Sequence, residues 1–256
     1  MRARMRFVNL EEARGARGLR LVVTAGVPSP WSETAKGCFD ARGIDYVAVR
    51  LTPRDADTRA WTQRHNAPVA LYDDEPPRSG WAEIVALAER LGDGASLVPK
   101  TPAERVEMWG LAHEVLGEGG LVWCLRLEAI HQGLTTAGAR GFPERAAGYL
   151  GARYGYDPAR IDGARERARS MLAALAQRLG GDRRYLVGDA LTVADISLAA
   201  AMGVLAPLPH ADCAMLPDFR RAYETWTPEI AEAVAPSLIA HRDFIYRQHL
   251  VLPVQV

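Results

Sequence analysis

The sequence predicts an α/β region followed by an all-α region. Between residues 19 and 91, runs rich in β-branched residues alternate with apolar stripes at helical spacing. A stretch rich in glycine, proline and polar residues follows, and after it only helical patterns recur. We therefore predict a loosely ordered leader at 1–18, an α/β domain at 19–92, a linker at 93–101 and an all-helical domain at 102–256.

Composition narrows the classes of partner and compartment. The 256 residues are 48% hydrophobic and 24% charged, as in a globular protein, and Lys+Arg equals Asp+Glu at 31 each. This balance gives no support for a nucleic-acid partner, and no apolar run approaches the ~20 residues of a membrane span. Residues 1–18 contain acidic residues and no apolar core segment, so they do not resemble a secretory signal.

The cysteines and histidines indicate neither a disulfide framework nor a metal centre. Cys38, Cys124 and Cys213 are far apart in the sequence, and the histidines show no i,i+4 pairing. We therefore expect three buried structural thiols, a reducing cytoplasm and no metal.

In the first region, local patterns predict three strands and three helices, and leave a further short strand open. The strands are expected at 19–25, 44–51 and 67–72, and the helices at 31–43, within 52–66, and at 81–91. In the second region we expect helices at 102–116, 121–134, 161–179, 193–204, 219–226 and 229–249. The glycine-rich run at 129–156 is longer than a tight helix connection needs, and we interpret it as a lid.

The helix that begins after Thr192 carries the most distinctive local pattern. Thr192 followed by Asp195 is a capping box, in which hydroxyl and carboxylate bond reciprocally to backbone N–H groups. The apolar run behind it predicts a buried helix, although a capping box alone is common. The longer string from Leu186, Leu-x-Gly-Asp-x-Leu-Thr-x-Ala-Asp-Ile, resembles the capped core helix of the glutathione S-transferase C-terminal domain.

With the order and size of its two regions, the chain resembles the bacterial members of the glutathione S-transferase superfamily. The resemblance implies a thioredoxin-like N-terminal domain followed by an all-α C-terminal domain. It also implies glutathione as co-substrate, a small apolar or electrophilic second molecule in the cleft between the domains, and a homodimer, since the family is commonly dimeric.

The segment Ser29-Pro30-Trp31-Ser32 lies where the first strand passes into the first helix. A helix N-terminus presents free N–H groups and positive potential, which stabilise an anion such as a thiolate. The resemblance implies that Ser29 holds the reactive position and Ser32 the second cysteine position of redox relatives, with Trp31 beside the co-substrate. A hydroxyl cannot exchange disulfides, but it can stabilise a bound thiolate. The alternative, a helix-entry turn capped by Ser29, remains open.

Two further turns bear on glutathione. Ala67-Pro68 resembles the family's cis-proline turn, which implies that the Ala67 backbone meets the cysteinyl part of glutathione. At the next helix, Gly80-Trp81 replaces the family's acid-Ser pair, and Ser79 stands two residues early. We expect Trp81 to fill the glutamyl pocket and Glu83 to face the domain interface or a different ligand.

The second-substrate cleft is predicted from the first helices of the second region. Trp109, His113, Trp123 and Arg126 are candidates to line it, with core packing the alternative for the two tryptophans. The leading hypothesis is a glutathione transferase-type enzyme that activates the glutathione thiol toward an apolar electrophile. The alternative is a protein of the same fold that has lost glutathione binding and serves as a binding or interaction subunit, or as a glutathione-independent biosynthetic enzyme.

Overall fold

A computed structural model describes residues 5–51, 55–181 and 183–256 of the chain. In this part of the chain four strands form one mixed sheet in the order β1-β3-β2-β4. Strands β1 and β2 both run parallel to β3, and β4 runs antiparallel to β2. The strands are β1 Met5–Phe7, β2 Leu19–Thr24, β3 Tyr46–Leu51 and β4 Val69–Tyr72.

Helices cover the sheet and make up nearly all of the regular structure after it. They are α1 Leu10–Gly15, α2 Pro30–Ala41, α3 Ala56–Thr62, α4 Trp81–Leu91, α5 Pro102–Leu116, α6 Leu121–Thr135, α7 Glu144–Tyr154, α8 Ile161–Arg178, α9 Val193–Leu205, α10 Pro217–Glu224, α11 Pro228–Glu232 and α12 Pro236–His249. None of the described helices is both long enough and apolar enough to span a bilayer. The predicted fold class, a thioredoxin-like α/β part followed by an all-α part, is confirmed, and the domain limits stay a prediction.

The leader expected at 1–18 is instead part of the fold over the residues the structure describes; residues 1–4 lie outside them. Strand β1 extends the sheet beside β3, and α1 packs on the sheet face that points away from the main core. Ala13 of α1 is fully buried there beside Val22, Val49 and Val69. This segment contains only a few apolar residues, so its sequence shows no clear strand or helix periodicity.

Two other expectations need correction, and a third stays a prediction. The single helix predicted at 229–249 is two helices, because Pro236 lacks an N–H and opens α12 as its first residue. The run at 129–156 is largely helical, since it holds the end of α6 and all of α7, and its interpretation as a lid stays a prediction. The further short strand is reduced to one bridge between Ala70 and Arg78.

Residues 52–54 of the stretch predicted at 52–66 lie outside the described residues, and α3 occupies Ala56–Thr62.

Helix α9 is the centre of the helical part and supports the helix that begins at Ser29. Every residue from Val193 to Leu205 is buried, and α9 packs against α2, α5 and α12. The approach to α2 is close at Gly37, where an added Cβ would lie 2.7 Å from Cγ2 of Ile196. Any larger residue at this position would force the Ile196 side chain or one of the two helices to move.

The start of α9 is held by the carboxylate of Asp195. It accepts hydrogen bonds from Leu186 N at 2.7 Å, Thr192 N at 2.8 Å, and the Thr192 hydroxyl at 2.7 Å. His241 of α12 adds a fourth contact through Nε2 at 3.1 Å, and both side chains are almost wholly buried. The carboxylate thus joins the loop before α9, the first turn of α9 and the distant helix α12.

Asp195→Ala is expected to lower the free energy of unfolding by about 3 kcal/mol, because it leaves buried donors without acceptors. Urea denaturation measures the change. The matched control is Asp189→Ala in the exposed loop before the cap, with an expected effect under about 0.5 kcal/mol. Equal small losses in both variants would contradict the assigned importance of the buried carboxylate.

Asp40, near the end of α2, is a partly enclosed acid. Its Oδ1 accepts a hydrogen bond from the Tyr46 hydroxyl at 3.1 Å. Burial raises the pKa of Asp40 to about 6; the Tyr46 hydrogen bond and Lys36 oppose the rise, and Glu33 adds to it. The folded chain therefore holds a proton here between about pH 4 and 6 that the unfolded chain has released.

The free energy of unfolding should consequently fall as pH rises through this window, and the loss should persist above pH ~6. Asp40→Asn removes the effect while its amide oxygen still accepts from Tyr46. We expect the variant to gain about 2 kcal/mol over the wild type between pH ~4 and pH ~7, after allowance for solvent screening. Urea titrations across this range measure the gain, with exposed Asp93→Asn as the control. A wild type and an Asp40→Asn variant with parallel pH profiles would refute the assignment.

Candidate active site

The site is built around the turn between β2 and α2. The chain leaves β2 at Thr24, passes Gly26 with φ at 73°, and enters α2 with Ser29 at the N-cap and Pro30 as the first helical residue. The carbonyl of Gly26 accepts a hydrogen bond from Leu216 N at 3.0 Å. The turn is therefore fixed to the segment before α10.

The hydroxyls of the two serines in this turn differ in whether they are free to bind a ligand. Ser29 is 5% exposed, and its hydroxyl neither caps the helix nor hydrogen-bonds to any other described residue, yet it is not fully enclosed. Ser32 is 1% exposed, and its hydroxyl accepts a hydrogen bond from Thr24 N at 3.3 Å. Ser32 thus joins strand to helix, its catalytic role stays a prediction, and Ser29 is the hydroxyl without a partner among the described residues.

Ala67 and Pro68 lie at the same end of the sheet. In the antiparallel pair of β2 and β4, Val22 faces Val69, so the residues before β4 approach the end of β2 where α2 begins. The Ala67–Pro68 peptide is cis. Ala67 is half-buried, and its backbone N–H and C=O make no hydrogen bond with the rest of the described chain. These groups are free to pair with an extended ligand.

The N-terminus of α4 is capped by a residue of the same helix. Gly80 is the exposed N-cap, and the Glu83 carboxylate bends back to accept its N–H at 3.1 Å. Trp81 packs on α5, with ring centroids 5.6 Å from Trp109 and 6.4 Å from His113. The place of Trp81 at a glutamyl pocket stays a prediction, while the Glu83 carboxylate bonds to the N-cap of its own helix.

The Glu83 carboxylate determines the charge at the N-terminus of α4. A helix N-terminus attracts a negative group, and here the chain supplies one itself. Ser79 stands beside Gly80, half-buried, just after Arg78, whose backbone pairs with Ala70. The Ser79 hydroxyl makes no hydrogen bond with the other described residues. An incoming carboxylate would meet the Glu83 carboxylate where the resemblance implied a serine hydroxyl.

A second aromatic group lies beside Ser29. The Trp31 indole donates its N–H to the Leu116 carbonyl at 2.8 Å, which fastens α2 to the end of α5. The guanidinium of Arg126 lies over the Trp31 ring at 4.9 Å from its centroid. Trp123 packs edge-on against Tyr154 at 4.8 Å. The four predicted cleft residues thus divide, with Trp109 and His113 near Trp81, and Trp123 and Arg126 near Trp31.

Helix α7 contributes functional candidates that the sequence interpretation missed. Tyr154 lies under the Arg126 guanidinium at 5.0 Å and near Trp31 at 6.4 Å. Its neighbour Arg153 donates to the His65 carbonyl at 2.6 Å, just before the cis-proline turn. The spacing of Leu150 and Tyr154 on one helical face was the available signal, and the glycines around it obscured it.

The cysteines lie outside this site chemistry. All three are free and buried, as predicted. Burial raises the pKa of the Cys213 thiol to about 11 and raises that of Cys38 further. These thiols stay protonated at neutral pH and are poor nucleophiles. Among the described residues, no cluster of three or more His, Cys, Asp or Glu side chains is placed to hold a metal ion.

Comparison with known proteins agrees with the fold. Residues 158–243 match the family model described as glutathione S-transferase, C-terminal domain. A search of curated protein sequences gave no match. The matched region contains α8, α9 and the capping carboxylate of Asp195.

Solved structures extend the likeness to most of the chain. A glutathione S-transferase domain-containing protein from Marinobacter aquaeolei VT8 is 21% identical, with a TM-score of 0.63, covering 90% of this chain and 98% of that one. A glutathione S-transferase from Methylobacterium radiotolerans in complex with glutathione sulfonate is 21% identical, with a TM-score of 0.57 and coverage of 90% and 91%. One from Methylobacillus flagellatus with GSH bound is 16% identical, with a TM-score of 0.57 and coverage of 87% and 98%.

These findings agree with the resemblance noted in the sequence and show the fold. The chain has the glutathione S-transferase fold, and its C-terminal region carries the sequence pattern of that superfamily's helical domain.

Proposed function

We propose that this protein is a glutathione transferase-type enzyme that holds the glutathione thiol at Ser29 and delivers it to an electrophile beside Trp31. The observation that carries the proposal is the Ser29 hydroxyl, which stands unused at the N-terminus of α2. The free backbone of Ala67 at the same end of the sheet supports it, since it offers a place for the cysteinyl peptide groups.

The chemistry follows from two effects at this point. The N-terminus of α2 contributes positive potential, and the Ser29 hydroxyl donates a hydrogen bond to sulfur; both favour the thiolate over the thiol. The thiol proton passes to solvent, and the sulfur electron pair forms a bond to the electrophilic carbon. In a substitution the leaving group departs with its electron pair, and in an addition the substrate carbanion takes a proton from water.

The glutamyl end of glutathione is expected to bind weakly. Glu83 already neutralises the N-terminus of α4 and would repel a second carboxylate there. Glutathione binding then depends on the cysteinyl contacts at Ala67 and Ser29. The two transferases named above were solved with glutathione sulfonate and with GSH, which supports glutathione as the ligand of this fold. A cytoplasmic location, where glutathione keeps thiols reduced, agrees with the three free cysteines.

A second candidate function is favoured by the same carboxylate. If Glu83 excludes glutathione altogether, the chain is a binding or interaction protein on a transferase scaffold, or a biosynthetic enzyme that works without glutathione. The two aromatic groups around Trp81 and Trp31 would then bind another small molecule. Glutathione titration separates the two functions.

Ser29→Ala is expected to raise the pKa of the bound glutathione thiol by about one to two units, because one hydrogen bond to the thiolate is lost. The ultraviolet absorbance of the thiolate, followed against pH in the complex, measures the shift. Since the hydroxyl does not cap α2, the melting temperature should stay within error of the wild type. An unchanged thiol pKa would reject Ser29 as the activating group.

Glu83→Gln is expected to tighten glutathione binding several-fold, because it removes a negative charge and keeps an oxygen that accepts from Gly80. Calorimetric titration with millimolar glutathione measures the affinity. The control is Glu118→Gln in the exposed loop before α6, which changes net charge equally. If neither wild type nor Glu83→Gln binds glutathione, the proposed function fails and the second candidate stands.

A further inference from the structure

Arg126 of α6 is a cation without a hydrogen-bond acceptor among the residues that the structure describes. Its guanidinium lies over three rings, at 4.9 Å from the centroid of Trp31, 5.0 Å from Tyr154 and 5.9 Å from Phe142. Its Nε is fully enclosed and has no partner among the described residues. Its two terminal nitrogens donate to no described residue either, and they are not enclosed.

Two other partly buried arginines of the helical part have a carboxylate partner, although Nε of Arg220, like that of Arg126, has no hydrogen-bond partner among the described residues. Arg165 is paired with Glu128 at 2.7 Å, and Arg220 with Glu224 at 2.8 Å. Glu128 follows Arg126 by two residues, so it lies on the opposite side of α6, and Arg165 already occupies its carboxylate. No acid of this helix is therefore directed at Arg126.

The rings account for only part of this arrangement. Aromatic faces attract a cation but accept no strong hydrogen bonds, so Nε–H has no acceptor among the described residues and the terminal N–H groups are left to solvent or a ligand. Its planar fork matches a carboxylate, to which it donates two parallel hydrogen bonds. An unpaired guanidinium in a half-buried, ring-lined position is thus suited to an anionic ligand that brings its own acceptor.

Its position links it to the proposed reaction. Trp31, the ring nearest to the guanidinium, follows Ser29 by two residues, and two residues span at most about 7 Å. A small molecule bound by Arg126 therefore lies against a side chain of the first turn of α2, the helix whose N-cap is Ser29. The ring faces of Trp31 and Tyr154 would hold its apolar body.

We propose that Arg126 binds the carboxylate of the second substrate, and that this substrate is a small aromatic or unsaturated carboxylic acid. This inference rests on the proposed function for its role in turnover, and on Arg126 alone for binding. It replaces the apolar electrophile expected from the sequence with an anionic one. Arg126 is accordingly the residue that sets substrate specificity.

Binding is tested first, without glutathione. Calorimetric titration with benzoate and with its neutral analogue benzamide compares wild type, Arg126→Gln and Arg126→Lys. The control is Arg145→Gln on the exposed side of α7, which makes the same change in charge away from the rings. We expect the wild type and the control to bind benzoate at least about tenfold more tightly than benzamide.

Arg126→Gln should lose that preference, with benzamide affinity little changed. Arg126→Lys should keep part of it, because it retains the charge but not the fork. Thermal unfolding of each variant shows whether the ring cluster is intact, and the lysine variant carries the test if the glutamine variant does not fold. A wild type without benzoate preference, or a preference that survives in Arg126→Gln, would overturn the proposal.

Turnover is tested with glutathione and the pair chloronitrobenzoate and chloronitrobenzamide. In each case a C–S bond forms, the C–Cl bond breaks, chloride leaves with the electron pair, and the thiol proton passes to buffer. The wild type should favour the acid in kcat/KM, and Arg126→Gln should reduce the acid-to-amide ratio about tenfold, whereas Arg145→Gln should keep it. If benzoate binding depends on Arg126 but neither compound is conjugated, the Arg126 site stands and the proposed function fails.

Discussion

The hydrogen bonds to the Asp195 carboxylate are the contact on which the rest of this structure depends. One buried carboxylate connects the loop at Leu186, the start of α9 and, through His241, helix α12. Helix α9 in turn supports α2 through the close contact of Ile196 with Gly37. Because α2 presents Ser29 at its first turn, the position of the site is set by a helix cap in the other half of the molecule.

Local patterns in the sequence were sufficient for most of the fold, and contacts between distant segments were not. The capping pair Thr192 and Asp195 was recognisable because both partners lie within one turn, whereas His241 joins them across 46 residues. For the same reason the three main strands could be predicted, while the sheet-edge role of Met5–Phe7 could not, since three residues carry almost no periodicity.

The candidate site also combines features that neighbouring residues predict with features that depend on contacts between distant segments. Ser29 at a helix start and Ala67 before a proline could be predicted from neighbouring residues. The orientation of Trp81 could not, because packing on Trp109 decides between two directions that are equally open to an isolated helix end. One end of the site, at Ser29, is compatible with a thiol ligand. At the other end, the Glu83 carboxylate places a negative charge at the N-terminus of α4. Ligand recognition therefore depends more on the aromatic rings and the Arg126 guanidinium beside Trp31.

The hydrogen bond from Arg153 to the His65 carbonyl has a consequence for how ligands exchange. It fastens the end of α7 to the loop before the cis peptide, across the region where Ser29 and Arg126 lie. Its acceptor carries no formal charge, so dissolved salt screens it much less than it screens a surface ion pair. Because the contact is exposed, water competes for it, so the end of α7 separates from the cis-proline turn at little cost when a ligand enters or leaves.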